Sequence, residues 1–342
     1  MIQSVILDLK NNVNLSVENA EEILEIIFKE NISDLEILEF LVALTDKGET
    51  VNEIVGFAKA MRKNMLKVPL KKYCSGKIID VCGTGGVTKD RFNLSTASAF
   101  VLASLGVKVA KHGNYGSKKL NGSFNFLEAL QIPFNLPIEH LEEQFKEMGL
   151  CFLFARLFHP AMKKVANARK EIGKRTIFNL LGPLCNPAEV SHQIIGCTNQ
   201  EIGEKLAAAL QALENERAFV VVGADGLDEL EVAPGNLIYD INSEKITTVQ
   251  VDGSQFVNYS DKVIADYSDS GKNAFFFELL IDAPGLYAYH PVMALMKLNA
   301  AAALLCLGEV ETIEAGVLKA ENIIQSGELA EFIHRFKNLE FN

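Results

Sequence analysis

Three polar, glycine-containing segments hold the residue types that could bind a phosphorylated ligand. They are GTGGVTKDRFNLST from Gly83, KHGNYGSKKLNGS from Lys111 and GADGLDELE from Gly223. Glycine allows backbone N–H groups to approach an anion, lysine supplies a compact positive charge, and carboxylates can hold a divalent cation against phosphate oxygens. Each segment is also compatible with an ordinary polar turn, because glycine clusters and Asp-Gly pairs are common at corners.

The segment from Gly83 does not match the standard nucleotide-binding loops. It lacks the G-x-x-x-x-G-K-[ST] spacing of a P-loop and the G-x-G-x-x-G spacing of a Rossmann fingerprint. It leads into Asn93, Ser95 and Thr96 at a predicted helix start, where such residues often cap the helix. A helix N terminus also binds phosphate through its free N–H groups, so both interpretations remain open.

The other two segments make most chemical sense together. A solvated surface loop accounts for most lysine-rich turns, but Gly113, Gly116 and Gly122 lie so close together that they suggest a backbone wrapped around a ligand, and lysine suits an anionic one. The adjacent carboxylates of Asp228 and Glu229 would repel a phosphate unless a divalent cation lay between them. Mg²⁺ has this role in many phosphate sites. The segments together therefore predict a site for a phosphate and Mg²⁺.

The elements that must position these segments are short apolar runs, each followed by helix-like sequence. The runs span residues 77–81, 107–113, 191–197 and 218–223. Continuous apolar strands that alternate with helices predict a mostly parallel sheet covered on both faces. Ligands of such sheets bind beyond the carboxyl ends of the strands. Because the three polar segments directly follow three of the runs, we expect them to line one edge of the sheet.

The N-terminal part of the chain has a different pattern. From residue 16 to about residue 65 the apolar residues recur at helical spacing, and no strand-like run interrupts them. Residues 68–77 then read as a linker. The fold prediction is therefore α/β, with a small all-helical N-terminal domain at residues 1–70 and a larger α/β domain with a mostly parallel central sheet at residues 76–342.

Composition narrows the classes of protein. The chain has 342 residues and a formal net charge of −11, which argues against a general nucleic-acid binder. Its six cysteines lack the spacing of a metal site or disulfide framework, and the N terminus lacks the apolar run of a signal peptide, so we expect a cytoplasmic protein. The most apolar segment, from Pro291, is interrupted by Lys297 and Asn299 and predicts a buried core helix, with no membrane partner.

One further stretch, residues 151–187, contains His159, Arg169 and Arg175. We predict a helix between Pro160 and Ile172, with a break at Gly182-Pro183 after it. Taken one at a time, each of these charged or polar residues is compatible with a structural role, and a histidine beside proline is more often packed or capping than catalytic.

Together and in order, the motifs resemble the anthranilate phosphoribosyltransferase family over nearly the whole chain. They are GTGG, NLST, KHGN, LEAL, FLFA, HPAMKKVANARKEIGKRTIFNLLGPLCNP, DGLDE and NAAAAL. The resemblance implies transfer of the phosphoribosyl group of 5-phosphoribosyl 1-pyrophosphate to anthranilate, with release of pyrophosphate, in tryptophan biosynthesis. It also implies a homodimer through the helical domain, helices from about residues 160–180 joined to that domain, and a site in the cleft between the domains.

The resemblance further implies roles for single residues. Those that correspond to donor contacts are Gly83, Gly86, Val87, Arg91, Asn93, Ser95, Thr96, Lys111, His112, Gly113, Ser117, Lys118, Lys119 and Ser123. Those that correspond to groups guiding or holding anthranilate are Asn114, His159 and Arg169, and the catalytic set is Lys111, Asn114 and Arg169. Two Mg²⁺ ions are implied, one held by Ser95 and Glu229 and the second by Asp228 and Glu229.

This sequence departs from the family pattern in one cluster. The usual acidic residue is Val87, the usual Thr or Ser is Arg91, the usual Arg is Tyr115, the usual Ser pair is Lys118-Lys119, and a frequent Lys is Leu120. The positive charges gained outnumber those lost, so we expect anion binding to survive. The absence of arginine at Tyr115 leaves open a different acceptor.

Two alternatives therefore accompany the main interpretation. One is a phosphoribosyltransferase or nucleoside phosphorylase of the same fold with another aromatic acceptor. The other is a non-catalytic ligand-binding or nucleic-acid-binding relative. Retention of Ser95, Asp228 and Glu229, together with the net charge of −11, argues against the second alternative.

Overall fold

Amphipathic helices make up the N-terminal part of the chain. The computed structural model describes residues 1–85, 89–116, 121–260 and 267–341. The N-terminal helices are α1 (Ile2–Lys10), α2 (Val17–Lys29), α3 (Asp34–Lys47) and α4 (Val51–Lys63). Ser33 and Thr50 begin α3 and α4 with capping boxes, in which each hydroxyl accepts a backbone N–H and a glutamate three residues later returns the contact. The predicted helical N-terminal domain is therefore present.

The rest of the chain is built around one sheet. Its strands are β1 (Ile78–Gly83), β2 (Lys108–Gly113), β3 (Leu150–Phe154), β4 (His192–Cys197), β5 (Arg217–Val222), β6 (Asn236–Asn242) and β7 (Ile246–Val251). Their order is β3-β2-β1-β4-β5-β6-β7. The pairs from β3 to β5 are parallel, and β6 and β7 extend one side of the sheet as two antiparallel strands. The prediction of a mostly parallel sheet is confirmed.

Eleven α-helices follow β1 in the part of the chain that the structure describes. They are α5 (Leu94–Ser104), α6 (Ser123–Ala129), α7 (Ile138–Met148), α8 (Ala155–Phe158), α9 (Ala166–Ile172), α10 (Phe178–Leu184), α11 (Gln200–Ala212), α12 (Ser270–Asp282), α13 (Pro291–Leu307), α14 (Ile313–Gln325) and α15 (Glu328–Lys337). The apolar segment from Pro291 is the buried helix α13, as predicted. Among the described residues, no helix has the length and apolar character needed to cross a bilayer.

The Gly182-Pro183 prediction was wrong in detail. Pro183 lies inside α10 instead of breaking the chain after a helix. Proline is tolerated there because α10 is only seven residues long, so few i to i−4 hydrogen bonds are available to lose. The preceding helical stretch is also divided, since residues Pro160–Val165 form a 3₁₀ helix before α9 begins.

One apolar core joins the helical N terminus to the sheet. Phe40 and Phe57 share this core with Val165, Ala168 and Phe178. The segment from Pro160 to Leu184 therefore packs on the N-terminal helices, while α5 and α12 to α15 form a second core with β1 to β3. The domain boundaries at residues 70 and 76 stay a prediction.

Candidate active site

The three polar segments meet at the carboxyl ends of the parallel strands. Lys111, in β2, donates hydrogen bonds from Nζ to the carbonyl oxygen of Val81 in β1 at 2.5 Å and to Ser95 Oγ at 3.3 Å. Ser95, in the first turn of α5, donates its backbone N–H to Glu229 Oε1 at 3.0 Å. Side chains from all three segments therefore form one connected group at the sheet edge.

Lys111 is a buried cation, with only 1% of its surface exposed. Burial lowers the pKa of its ammonium group, and the nearby carboxylates of Asp80 and Glu229 oppose that shift. Asp80 lies behind it in β1 and accepts hydrogen bonds from the His112 backbone N–H at 3.1 Å and from Asn186 Nδ2 at 2.8 Å. Burial raises the pKa of Asp80 to about 6. Asp80 is thus a buried counter-charge to the ammonium group, which Val81 and Ser95 hold in place.

A tight turn aims the two acidic residues at this group. Asp225 and Gly226 adopt left-handed φ values of 57° and 73°, which aspartate tolerates and glycine favours. The turn returns the chain toward β1, where Asp228 is buried against Gly83. A Cβ atom at residue 196 in β4 would overlap the backbone carbonyl of Asp228, so glycine is required there for this approach.

The two acidic residues, Asp228 and Glu229, lie in different environments. Asp228 forms an ion pair with the guanidinium of Arg91, and its Oδ2 has no hydrogen-bond donor among the described residues. Glu229 instead binds the backbone of Ser95. Burial raises the pKa of Glu229, with Arg91 opposing the shift. Arg91 therefore neutralises one of the two carboxylates assigned to metal.

The donor set suits a cation with few protein ligands. The Ser95 hydroxyl and the Glu229 carboxylate are hard oxygen ligands of the kind that Mg²⁺ prefers. Within the described ranges, no cluster of three or more His, Cys, Asp or Glu side chains could hold a metal by itself. The arrangement fits an Mg²⁺ ion that takes its other ligands from water and a bound phosphate.

Amide side chains fix the start of α5. Asn93 does not cap the helix with its side chain. Its Oδ1 lies 2.9 Å from Asn273 Nδ2, which also lies 2.9 Å from Asn121 Oδ1. Thr96 is buried, and its hydroxyl has no partner in the described parts of the chain. The helix start is thus held by residues that are distant in sequence, and Asn121 and Asn273 were not foreseen.

Two neutral histidines connect β2 to the segment from Pro160. His112 Nδ1 lies 3.2 Å from the carbonyl oxygen of Gly182, and His112 Nε2 lies 3.2 Å from His159 Nε2. Burial lowers the pKa of His112 to about 3 and that of His159 to about 4. Because a carbonyl only accepts, His112 donates from Nδ1, so His159 must donate from Nε2 to His112 Nε2. The pair orients both rings without carrying charge.

Arg169 differs from the other charged residues of the site. Its guanidinium lies over the ring of Phe178, 5.3 Å from the centroid. Burial lowers its pKa, although a guanidinium remains charged at neutral pH. The described residues give this group no hydrogen-bond or ion-pair partner. It is therefore available for a planar carboxylate, which a guanidinium can bind with two parallel hydrogen bonds.

Tyr115 belongs to an aromatic cluster. Its ring packs edge-on against Phe134 and Phe154, and the guanidinium of Arg156 lies 5.2 Å from its centroid. The neighbouring Asn114 is exposed, and its Oδ1 accepts the Tyr115 backbone N–H at 2.8 Å. A guanidinium therefore still lies near residue 115, but it belongs to Arg156, which follows β3.

The remaining assigned residues divide into two groups. Ser123 begins α6 beside Gly113, where a Cβ atom would lie 3.2 Å from the serine hydroxyl. The residues that lie outside the described ranges are Gly86, Val87, Ser117, Lys118 and Lys119. Asp80 was missed, although an acid within the apolar run KIIDV was a usable signal. Asn273 carried no such signal.

Comparison with known proteins gives the family. Residues 75–330 match the family model described as "Glycosyl transferase family, a/b domain", and residues 3–65 match the helical bundle domain of the same family. The anthranilate phosphoribosyltransferase of Brevibacillus brevis is 40% identical over 310 residues, which cover 90% of this chain and 89% of the relative. This chain belongs to the anthranilate phosphoribosyltransferase family.

Other members of the anthranilate phosphoribosyltransferase family agree over almost the full length. The Persephonella marina protein is 35% identical and covers 98% of both chains. The crystal structure of the Thermus thermophilus enzyme matches with a TM-score of 0.85 at 32% identity and covers 97% of this chain and 98% of that chain. The Saccharomyces cerevisiae enzyme, solved with PRPP and Mg, matches with a TM-score of 0.86 at 25% identity, covering 98% and 96%. The chain is thus an enzyme of the transferase class.

Proposed function

We propose that this protein transfers the phosphoribosyl group of 5-phosphoribosyl 1-pyrophosphate to anthranilate, giving N-(5-phosphoribosyl)anthranilate and pyrophosphate, in tryptophan biosynthesis. The observation that carries the proposal is the connected group of Lys111, Ser95 and Glu229 at the sheet edge. It joins a buried cation, a helix start and a carboxylate, which are the groups that a diphosphate with Mg²⁺ requires.

The donor would bind across the loops after β1 and β2. The start of α5 would face the 5-phosphate, and Lys111 with the following loop would face the pyrophosphate. Ser95 and Glu229 would hold an Mg²⁺ ion, which supplies charge neutralisation to the departing pyrophosphate. The family resemblance adds a second ion on Asp228 and Glu229. Roles for Gly86, Val87, Ser117, Lys118 and Lys119 remain predictions from the sequence.

The proposed reaction needs only the kinds of side chain that this site provides. An aromatic amine is already neutral at pH 7, so its attack on the anomeric carbon needs little help from a base. Alignment of the two substrates can supply roughly 7–11 kcal/mol, and one well-placed electrostatic group about 3–4 kcal/mol. Lys111 would supply the second effect. Arg169 would bind the carboxylate of anthranilate, and Asn114 and His159 would guide its ring.

We further propose a cytoplasmic homodimer formed through the helical domain, with no nucleic-acid partner. Leu7 on α1 and Leu35 on α3 are exposed apolar residues of that domain, which supports an interface there. All six cysteines are free, as is usual in a reducing compartment.

A second candidate function rests on Tyr115. Its ring packs among Phe134 and Phe154, whereas the family resemblance predicts an arginine at this position. Another aromatic acceptor is therefore the alternative, either for a phosphoribosyltransferase or for a nucleoside phosphorylase of the same fold. A non-catalytic nucleic-acid-binding relative has no comparable support.

One assay separates these candidates. The protein is incubated with 5-phosphoribosyl 1-pyrophosphate, Mg²⁺ and anthranilate, and loss of anthranilate fluorescence is followed, with an EDTA-treated sample as the control. Donor binding is measured separately by calorimetry. We expect turnover that stops with EDTA. Intact donor binding without turnover would contradict the anthranilate assignment, and release of pyrophosphate with other aromatic acceptors would favour the second candidate.

A further inference from the structure

The ion pair of Arg91 with Asp228 lies where the family resemblance puts a second Mg²⁺ ion. Only 1% of the Asp228 side chain is exposed, whereas the Arg91 side chain is 32% exposed. The family resemblance predicts threonine or serine at residue 91, and neither side chain can neutralise a carboxylate. Arginine at this position is therefore a change in the charge that faces Asp228.

Both partners of this pair are held by contacts of their own. The Arg91 carbonyl oxygen accepts hydrogen bonds from Asn121 Nδ2 at 2.9 Å and from Asn273 Nδ2 at 3.1 Å. The backbone of Asp228 packs tightly against Gly196 in β4, where a Cβ atom would overlap its carbonyl oxygen. The contact is thus part of the sheet edge and not a chance meeting of surface side chains.

A buried carboxylate needs a positive partner, and only one cation can have the place next to Asp228. An unpaired carboxylate in such a position is strongly unfavourable, so either a guanidinium or a metal ion must neutralise it. Arg91 and Lys111 both act on Glu229, which would be the other ligand of a second ion. A divalent ion added there would lie against two fixed positive charges.

We propose that the Arg91 guanidinium takes the place of the second Mg²⁺ ion, so that the protein binds one divalent ion, through Ser95 and Glu229, for each donor molecule. The guanidinium then provides a metal-independent positive charge to the phosphorylated donor. This inference rests on the proposed function for the identity of the donor. The positive charge itself belongs to the Arg91 side chain and does not depend on that identity.

The test counts bound metal and does not depend on turnover. Mn²⁺, whose free form gives an electron paramagnetic resonance signal, is titrated into protein with and without 5-phosphoribosyl 1-pyrophosphate, in the absence of acceptor. We expect one bound Mn²⁺ per chain for the wild type and two for Arg91→Thr, because Asp228 is freed. Lys89→Thr removes a positive charge from the same loop, where Lys89 lies 3.9 Å from the exposed Asp225, and should keep one.

Two variants in the wild-type background make the test independent of how well Arg91→Thr folds. Asp228→Asn should leave the count at one, because Asp228 faces a guanidinium and not a metal. Glu229→Gln should reduce the count to zero. Loss of the bound ion in Asp228→Asn would overturn the inference.

The outcomes also separate this inference from the proposed function. Two ions in the wild type, or equal counts for the wild type and Arg91→Thr, would overturn the role of Arg91. Failure of the wild type to bind 5-phosphoribosyl 1-pyrophosphate would overturn the proposed function instead. In that case the titrations with Mn²⁺ alone still test the role of Arg91. If Arg91→Thr binds one more ion than the wild type, that role is supported. If it binds no more, that role is overturned.

Discussion

Charged side chains have different surroundings at the sheet edge and in the segment from His159 to Leu184. At the sheet edge the two buried or half-buried cations have partners within the chain, Lys111 with Ser95 and Arg91 with Asp228. In the other segment the guanidinium of Arg169 rests on Phe178 without such a partner among the described residues. The difference indicates that the edge is organised before any ligand binds, whereas Arg169 is left for a ligand to complete.

The strongest way to break this comparison is Lys111→Met. We expect kcat/KM to fall by about 100- to 1000-fold, because the lost electrostatic contact is worth about 3–4 kcal/mol. We also expect a lower Tm, since the variant leaves Asp80 buried without its counter-charge. Activity follows from anthranilate fluorescence and Tm from circular dichroism. A variant with near-normal activity would mean that the edge is not organised around Lys111.

The second test addresses the unpartnered group. Arg169→Ala should raise the KM for anthranilate by about 10- to 100-fold, because a hydrogen bond to a charged group is worth about 1.5–3 kcal/mol. Donor affinity and Tm should change little, since the described residues give the guanidinium no ion-pair partner. Arg169→Lys is the matched control, which keeps the charge but loses the planar fork. Equal losses for both substrates would contradict the role of Arg169.

The histidine pair, which joins the two regions, gives a pH-dependent prediction. The pKa of His159 is about 4 in the folded protein, against an ordinary value of 6.5. Between these values the unfolded chain binds a proton that the folded protein does not, so stability present above pH 6.5 is lost as the pH falls. The wild type should therefore lose about 1.4 kcal/mol more per pH unit than His159→Asn.

Urea unfolding of both proteins at pH 5, 6 and 7 measures this difference. The comparison cancels the opposite contribution of Asp80, whose raised pKa of about 6 favours the folded state at lower pH. Parallel slopes for the two proteins would show that His159 is not a buried neutral group.

The smallest effect is expected at the corner of Tyr115. Arg156→Ala removes a guanidinium 5.2 Å from the tyrosine ring, and exposed contacts of this kind contribute about 0.5–1 kcal/mol. We expect a slightly lower Tm and a KM for anthranilate within about threefold of the wild type, because this cost is below that of a charged hydrogen bond. A larger rise in KM would mean that Arg156 contacts anthranilate. Arg169 would then not be the only arginine available to that substrate.

The sequence predicts the local parts of this fold better than the distant ones. Apolar runs revealed β1, β2, β4 and β5, and helical spacing revealed the N-terminal helices, since both signals depend on neighbouring residues. The strands β3, β6 and β7 were not predicted. Most of β7 is exposed, so it lacks the continuous apolar run that revealed the buried strands, and β6 pairs with it in a hairpin.

The same limit applies to the site. The motifs identified Lys111, Ser95 and Glu229, but Asn273 lies 182 residues from the Arg91 carbonyl it binds. The sequence shows that Arg91 departs from the family pattern, but it indicates only that the donor site gains a positive charge. Its specific partner, Asp228, depends on the turn at Asp225, which only the structure provides.

The amides that hold residue 91 have a consequence for how this family can diversify. Asn121 and Asn273 bind the carbonyl oxygen of that residue, a group that every amino acid carries. The loop can therefore exchange threonine, serine or arginine at this position and keep its path. Residue 91 is a point at which evolution, or an engineer, can alter how an enzyme of this fold obtains positive charge without redesigning the scaffold around it.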